Sequence, residues 1–256
     1  MKNTDYNESM RTPRILCEEL SPPSIHYTNI KQIHHLAKVL RLKPGDSVQL
    51  FDGKGNFAAA KINELSKQSI HFLIDEVCLE KNPYRTSYQA IFPYIKKENL
   101  IFLIQKLTEI GINSMVIFKP DHIDQSLIKK DVSKLNERVA EAITHACEQS
   151  GCNFMPRVEY FKDLDHALNH VLEDSASEDV FVLDTIADKL SGELFKSNAK
   201  MISFITGPES GFSKNERTLM TKKKLSNFCL GHYILRAETA PLVALSKLHT
   251  LNGEHV

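Results

Sequence analysis

The spacing of apolar residues changes character near residue 82. Before that point they come in short alternating segments separated by turn signals, the pattern of half-buried strands. In SVQLFDGKGNFAAAKI, Val48, Leu50 and Phe57 flank an Asp52-Gly53 turn, which predicts a β-hairpin. Upstream, Ile33, Leu36, Ala37 and Leu40 recur at helical spacing until Pro44-Gly45 breaks the pattern. Residues 1–82 therefore read as a small domain of several strands and one helix. It ends where the alternation of HFLIDEVCLE gives way to Lys81-Asn82-Pro83.

From residue 83 to 256 strands alternate with helices, which predicts an α/β domain with a mostly parallel sheet and helices on both faces. QAIFPYI and SMVIFKP read as strands, with NLIFLIQKLTEI between them as a helix closed by Gly111. DVSKLNERVAEAITHACEQSG is a long helix with the inner stripe Leu135, Val139, Ala142 and Ala146, closed by Gly151. RVEYF, DVFVLD, KMISFIT and NFCLG follow as strands, and DLDHALNHVL, NERTLMTKKKL and PLVALSKLHTL as helices. No internal repeat or low-complexity tract interrupts the order.

A chain of 256 residues with 42% hydrophobic and 25% charged residues has the composition of an ordinary globular protein. Disordered, collagenous and disulfide-scaffold classes are excluded. No apolar run approaches the roughly 18 residues of a membrane span, and MKNTDYNESMRTPRI lacks the apolar core of a secretory signal, so a cytoplasmic protein is expected. Cys17, Cys78, Cys147, Cys152 and Cys229 form an odd set without a CxxC pair, as expected of reduced thiols. Basic and acidic residues balance at 32 each, so no polybasic character announces a nucleic-acid partner. A local basic face remains open to the chain.

Two segments depart from core patterning. SFITGPESGFSKNE runs from a buried strand into Gly207-Pro208-Glu209-Ser210-Gly211 and then a helix, whose start Ser213 and Glu216 fix by the Ser-x-x-Glu spacing of a capping box. Such a loop lets backbone groups approach a ligand, or is simply a tight turn. It lacks the Gly-Lys-Ser/Thr ending of a phosphate loop and the spacing of a dinucleotide fingerprint. NFCLGHYILRAETAPLVALSKL repeats the strand, glycine loop and helix, with Thr239 placed to cap and Pro241 in the first turn. Between strand and cap lie Arg236 and Glu238, a surface ion pair or part of a bipartite pocket. His166 and His170 stand at i,i+4 without a third ligand, and Cys147 and Cys152 do not suggest a metal cage, so no metal is predicted. Lys222-Lys223-Lys224 sits where it opposes the negative pole of a helix.

TGPESGFS and LGHYILRAETAPL resemble the second and third signature motifs of the RsmE-type 16S rRNA (uracil-N3)-methyltransferases, members of the SPOUT class. MRTPRI, HHLAKVLRLKPGDSVQLFDGKGN, KKENLIFLIQKLTEIGI and ACEQSG extend the resemblance in order over nearly the whole chain, leaving only residues 157–200 without a match. The resemblance implies an RNA-binding PUA-like barrel over residues 1–82 and, over residues 83–256, a SPOUT α/β domain with a C-terminal trefoil knot that binds S-adenosyl-L-methionine. It also implies a homodimer and, as substrate, 16S rRNA in the assembled small ribosomal subunit.

Carried over position by position, the implied cofactor contacts are Leu183, Ile205, Gly207, Pro208, Gly211, Leu230, Gly231, Ile234, Leu235, Thr239 and Ala240. Arg236 would stabilise charge on the uracil oxygens, and Glu209 or Glu238 would take the N3 proton. Arg11, Arg14, Lys38, Arg41 and Lys106 are the implied RNA contacts, although Arg41 could be a solvated residue and Lys106 a surface partner of Glu109. The chain departs from the family at Ser210, usually glycine, and at His232-Tyr233, usually Pro-Arg. Cys152 replaces a usual arginine, Phe154 stands where a basic residue is common, and DHIDQSL lacks an arginine. These departures keep two other readings open, a non-catalytic RNA-binding relative and a methyltransferase for another RNA.

Overall fold

A computed structural model describes residues 12–122, 132–176, 179–183 and 199–254. The chain divides into two compact units, Met1–Asn82 with Thr144–Met155, and Pro83–Ile143 with Pro156–Val256.

In the first unit β1 (Arg14–Leu16), β2 (Ser24–Tyr27), β3 (Ser47–Phe51), β4 (Asn56–Leu65), β5 (Ile70–Ile74) and β6 (Cys78–Leu79) form a sheet, joined by helix α1 (Ile30–Lys38). The strand order is β1-β3-β4-β5-β2, with β6 on β4; β1 and β3 run parallel and the other pairs antiparallel. Alternation decides the inner face. Ala58, Ala60 and Ile62 of β4 and Ile70, Phe72 and Ile74 of β5 point into one core with Ile15, Leu50, Ile33 and Leu36. Asn29 caps α1 by accepting from the Gln32 N–H. Leu40, expected on the helix stripe, is instead 44% exposed, because α1 stops at Lys38 and Arg41 turns the chain with φ +56°.

The hairpin forms between Phe51 and Asn56 as its sequence predicts. Asp52 Oδ1 accepts the N–H groups of Lys54 (2.7 Å) and Asn56 (3.0 Å). The turn has a further partner that spacing could not reveal. Gly55 N–H donates to Asn153 C=O (2.9 Å), and Met155 N–H donates to Gly53 C=O (2.8 Å). A Cβ at Gly55 would lie 2.7 Å from the Phe154 ring. Phe154, noted above as a missing basic residue, is a packing residue here.

In the second unit β7 (Ser87–Pro93), β8 (Ser114–Phe118), β9 (Arg157–Phe161), β10 (Val180–Leu183), β11 (Met201–Ile205) and β12 (Ser226–Phe228) form a sheet of order β12-β10-β11-β7-β8-β9. Every pair is parallel. The helices of the chain's second part are α2 (Lys97–Ile110), α3 (Val132–Ser150), α4 (Leu164–Asp174), α5 (Lys214–Lys222) and α6 (Ala240–Leu251). Burial on both faces explains the apolar runs at 90–93 of β7 and 115–118 of β8. On one side Ile91, Val116, Phe118, Val182 and Ile205 pack against Leu164, Leu168 and Val171 of α4 and Met220 of α5. Helices α2 and α6 pack on each other, and α6 also meets β7 and β11. Gly111 closes α2 in the left-handed region with φ +96°, as its position predicts.

The strand order reverses direction at β7. The chain builds outward through β8 and β9, then returns to the other side with β11 next to β7 and β10 beyond it. Parallel α/β sheets place ligands at the carboxyl ends of strands flanking such a reversal. Among the described residues no helix is long and apolar enough to cross a membrane.

Candidate active site

Both glycine loops leave carboxyl ends of this parallel sheet. After β11, Thr206 N–H extends the ladder to Ile91 C=O (2.9 Å), and the chain then turns through Pro208-Glu209-Ser210-Gly211, closed by Gly211 N–H to Pro208 C=O (2.8 Å). The left-handed residue of this turn is Gly211 (φ +74°); Ser210 has no positive φ, so the serine at that position carries no backbone strain. A Cβ at Gly207 would lie 3.2 Å from the Phe212 ring, a tight approach to which the ring would have to yield by a few tenths of an ångström. The predicted capping box forms in full: Glu216 N–H donates to Ser213 Oγ (3.0 Å) and Ser213 N–H to Glu216 Oε2 (2.7 Å). The buried Glu216 carboxylate also accepts Asp121 N–H (3.1 Å), and Ser213 O–H donates to Asp121 (2.5 Å). The loop after β8 is thus stitched to the end of the glycine loop.

After β12 the second loop runs over Cys229, Leu230 and Gly231 to Arg236. Tyr233 and Ile234 stand 87% and 84% exposed on it. The Arg236 carbonyl accepts both Thr239 N–H and Ala240 N–H (2.9 Å each), which turns the chain into α6. Thr239 occupies the cap position but its side chain makes no capping bond, because its backbone is already helical (φ −89°, ψ −39°). That corrects the capping role expected of it. Pro241 lies in the first turn, as predicted.

The two loops enclose one cleft of about 680 Å³, within the range of small-molecule sites. Leu183, Gly207, Pro208, Gly211, Leu230, Gly231, Ile234, Leu235 and Ala240 line it, together with Glu209, Arg236 and Glu238. Of the expected cofactor contacts, Ile205 and Thr239 do not line it; Ile205 is wholly buried in the sheet core. Lys96 and Asn99 at the start of α2, with Thr206 and Arg217, line the cleft without having been singled out from the sequence. Their signal was KKENL following directly on a buried parallel strand, in a fold that collects sites at strand ends.

Arg236 has an 85% exposed side chain, and its Nη1 lies 4.0 Å from Oε1 of Glu238, whose side chain is only 13% exposed. The cleft therefore combines a solvent-exposed cation with a sheltered carboxylate, while Glu209 is exposed on the first loop. Apolar side chains (Leu183, Phe228, Leu230, Leu235) share the lining with backbone polar groups of the glycine loops.

The candidate RNA contacts have different fates. Arg14 is turned inward: its guanidinium bonds Gln49, Cys152 C=O (3.2 Å) and Asn153 Oδ1 (2.6 Å), and lies 4.8 Å from the Phe51 ring centre. Burial pulls its pKa below the ordinary arginine value. It is a structural residue of the first unit, a correction to the expected RNA role. Lys38 and Arg41 are exposed. Lys106 pairs with Glu109 on its own helix (2.8 Å), and Arg11 lies outside the described residues. His166 is held by Asp163 (2.6 Å) and His170 lies 3.3 Å from Glu159.

A six-stranded parallel sheet with two glycine loops meeting over one cleft at its carboxyl ends is the architecture of a SPOUT-class methyltransferase domain, here accompanied by a PUA-like unit. Residues 80–249 match the RNA methyltransferase domain, and residues 27–75 match the RNA methyltransferase PUA domain. The chain belongs to this RNA methyltransferase family. It is 31% identical over 221 residues to the ribosomal RNA small subunit methyltransferase E of Synechocystis sp., covering 86% of this chain and 71% of that one. The protein of the same name from Bacillus subtilis is 28% identical over 228 residues, with 85% and 87% covered. In structure the chain is similar to a ribosomal RNA small subunit methyltransferase E from Neisseria gonorrhoeae bound to S-adenosyl methionine, with TM-score 0.82, 25% identity, and 94% and 98% of the chains covered.

Proposed function

We propose that this chain transfers a methyl group from S-adenosyl-L-methionine to N3 of a uridine in 16S rRNA, acting as a homodimer in the cytoplasm on the small ribosomal subunit. The observation that carries the reading is the convergence of the GPESG and LRAET loops on one cleft. The cleft suits the cofactor. Leu183, Phe228, Leu230 and Leu235 offer apolar surface to an adenine ring, and Gly207 presents bare backbone to the cleft close to Phe212. When bound, the cofactor supplies an electrophilic methyl carbon on a sulfonium.

The chain's own residues supply positioning, a proton acceptor and charge stabilisation. Arg236 extends its fixed positive charge from the second loop and neutralises the negative charge that grows on the uracil oxygens as N3 loses its proton. That proton goes to a carboxylate of the cleft, Glu209 on the first loop or Glu238 beside Arg236, and separate Gln substitutions decide between them. Lys96 and Asn99 add polar groups on the third side. In the first unit Lys38 and Arg41 provide phosphate contacts. Tyr233 and Ile234, large apolar side chains left exposed on a site loop, support a second copy as their cover.

The test is methyl transfer from labelled cofactor to small ribosomal subunits from cells lacking the endogenous activity. Label at N3 of a 16S uridine is expected. Label in transfer RNA or naked large-subunit RNA would reassign the substrate, and cofactor binding without incorporation would make the chain a non-catalytic relative. Sedimentation equilibrium checks the dimer; a monomer at working concentration would remove it.

A further inference from the structure

The wall of the cleft at the ends of β7 and β11 gathers donors that no protein group answers. Thr206 follows β11 and keeps its ladder, donating its N–H to Ile91 C=O (2.9 Å). Ile205 faces the core under α4 and α5, so alternation turns Thr206 to the opposite face of the sheet, where α6 packs on β11 and on α2. Thr206 lines the cleft at only 2% exposure, and its hydroxyl oxygen has no hydrogen-bond partner among the described residues. A valine would fill the same space without an unpaired buried hydroxyl, so the polar atom calls for a partner from outside the chain.

The start of α2 stands at the neighbouring strand end. Lys96 and Asn99 line the same cleft, and β7, which leads into them, pairs with β11. Lys96 occupies the N-cap position, where serine, threonine, aspartate or asparagine usually accepts from the first turn, and its side chain makes no capping bond. The first turn of this 14-residue helix thus has a cation beside its positive pole instead of an acceptor. Glu98, the acidic residue of that turn, is exposed and does not line the cleft. The carboxylates that do, Glu209 and Glu238, belong to the two glycine loops.

We infer that Thr206, Lys96 and the first turn of α2 form a subsite for an oxyanion, the carboxylate or phosphate group of a bound ligand. The inference rests on the methyltransferase reading and deepens it. The donors decide the class: an ammonium, backbone N–H groups and a hydroxyl all offer hydrogens, and an oxyanion accepts several at once. Two ligands of the reaction carry such a group, the methionine carboxylate of S-adenosyl-L-methionine and the phosphodiester beside the target uridine. Burial of Thr206 favours the carboxylate, which ends a slim chain, whereas a phosphodiester carries a ribose on each side. Leu183 and Phe228 stand at the ends of β10 and β12, so an adenosine packed on them leaves the amino-acid end of the cofactor on the side of β11 and β7.

The test is calorimetry on the full-length chain with S-adenosylhomocysteine and with 5′-methylthioadenosine, which keeps the adenosine and thioether but has no amino-acid group. Thr206→Val and Lys96→Met should each weaken S-adenosylhomocysteine about tenfold and leave 5′-methylthioadenosine at its wild-type affinity, with Thr206→Ser restoring the first value. Lys96 is exposed, so its variant serves if Thr206→Val fails to fold. If both affinities hold while the KM for small ribosomal subunits rises about tenfold and its salt dependence flattens, the subsite stands and its oxyanion is the RNA phosphate. The subsite is overturned, and the cofactor reading kept, if the variants change neither nucleoside affinity nor that KM, or if they weaken both nucleosides equally. Wild-type chain that binds neither nucleoside would remove the methyltransferase reading and the subsite with it.

Discussion

The two ends of the parallel sheet are built on opposite principles. At the carboxyl ends the glycine loops carry exposed side chains, and a cleft stays open between them. At the opposite end, Glu254 is buried: Oε1 accepts Arg85 N–H and Thr86 N–H (3.0 Å each), and Oε2 accepts the Tyr88 hydroxyl (2.9 Å). Asn252 Nδ2 adds bonds to Thr86 Oγ1 (2.7 Å) and the Tyr88 hydroxyl (3.1 Å). His249 is wholly buried between the rings of Tyr84 and Tyr88, each 4.3 Å away. Helix α6 spans both ends, beginning at the site loop and finishing in this latch. The difference teaches a division of labour: the buried hydrogen-bond network sits where no ligand has to enter, and exposed side chains are kept for the loops that face the cleft.

Substitutions at each end can break that division. The largest effect is expected at Arg236, where Ala should lower methyl transfer by roughly 10²–10³-fold, about 3–4 kcal/mol of barrier. Its exposed side chain gives no reason for a change in stability, and cofactor affinity by calorimetry should stay at the wild-type value; unchanged turnover removes Arg236 from the mechanism. Next comes Glu254→Ala, which takes the acceptor away from the Arg85 and Thr86 N–H groups and the Tyr88 hydroxyl and should cost about 3 kcal/mol in a denaturant melt. Activity per folded molecule should be unaffected, and a loss there would mean the latch reaches the chemistry.

Glycine substitutions sharpen the picture within the open end. Gly207→Val places a side chain against Phe212 and should weaken cofactor binding about tenfold or more while the chain still folds. Gly231→Ala should change little, because its Cβ would meet nothing within 4 Å and the residue has no positive φ. Equal losses for both would argue against the first loop as the closer wall.

The smallest effect is a pH dependence at the closed end. Burial lowers the His249 pKa below the 6.5 of an exposed imidazole. An unfolded chain therefore takes up a proton near pH 6.5 that the native latch refuses. The stabilising contribution is present in full above that value and declines as pH falls below it. Glu148 in the first unit has the opposite sign. Burial raises its carboxyl to about 7 against hydrogen bonds from Gln32 and the backbone, so its contribution is present below the unfolded value of 4.5 and is lost as pH rises through about 7. His249→Phe should flatten the acid side of the stability profile, and Glu148→Gln the neutral side.

Much of the site was legible because its signals are local. The Ser213/Glu216 capping box, the cap at Gly111 and the Asp52-Gly53 hairpin each depend on residues a few positions apart, and each forms as spaced. The glycine loops were legible as loops, and the family motifs they carry mark them as a pair. Arg14 was misread because its partners, Cys152 and Asn153, lie more than 130 positions away, so nothing near it distinguishes a buried guanidinium from an exposed one. Lys96 and Asn99 were passed over because their place in the cleft depends on β7 lying beside β11, a pairing of residues over 100 positions apart.

Sequence alone determined the alternation of strands and helices, several of their caps, and that two glycine-rich turns follow buried strands, since periodicity and capping act within a few residues. Tertiary structure decided the strand order, the closing of both turns over one cleft, the inward turn of Arg14, and the latch that Glu254 makes with the start of β7. Those outcomes depend on burial and on hydrogen-bond partners brought from far along the chain, and a residue's environment exists only once the chain has folded around it.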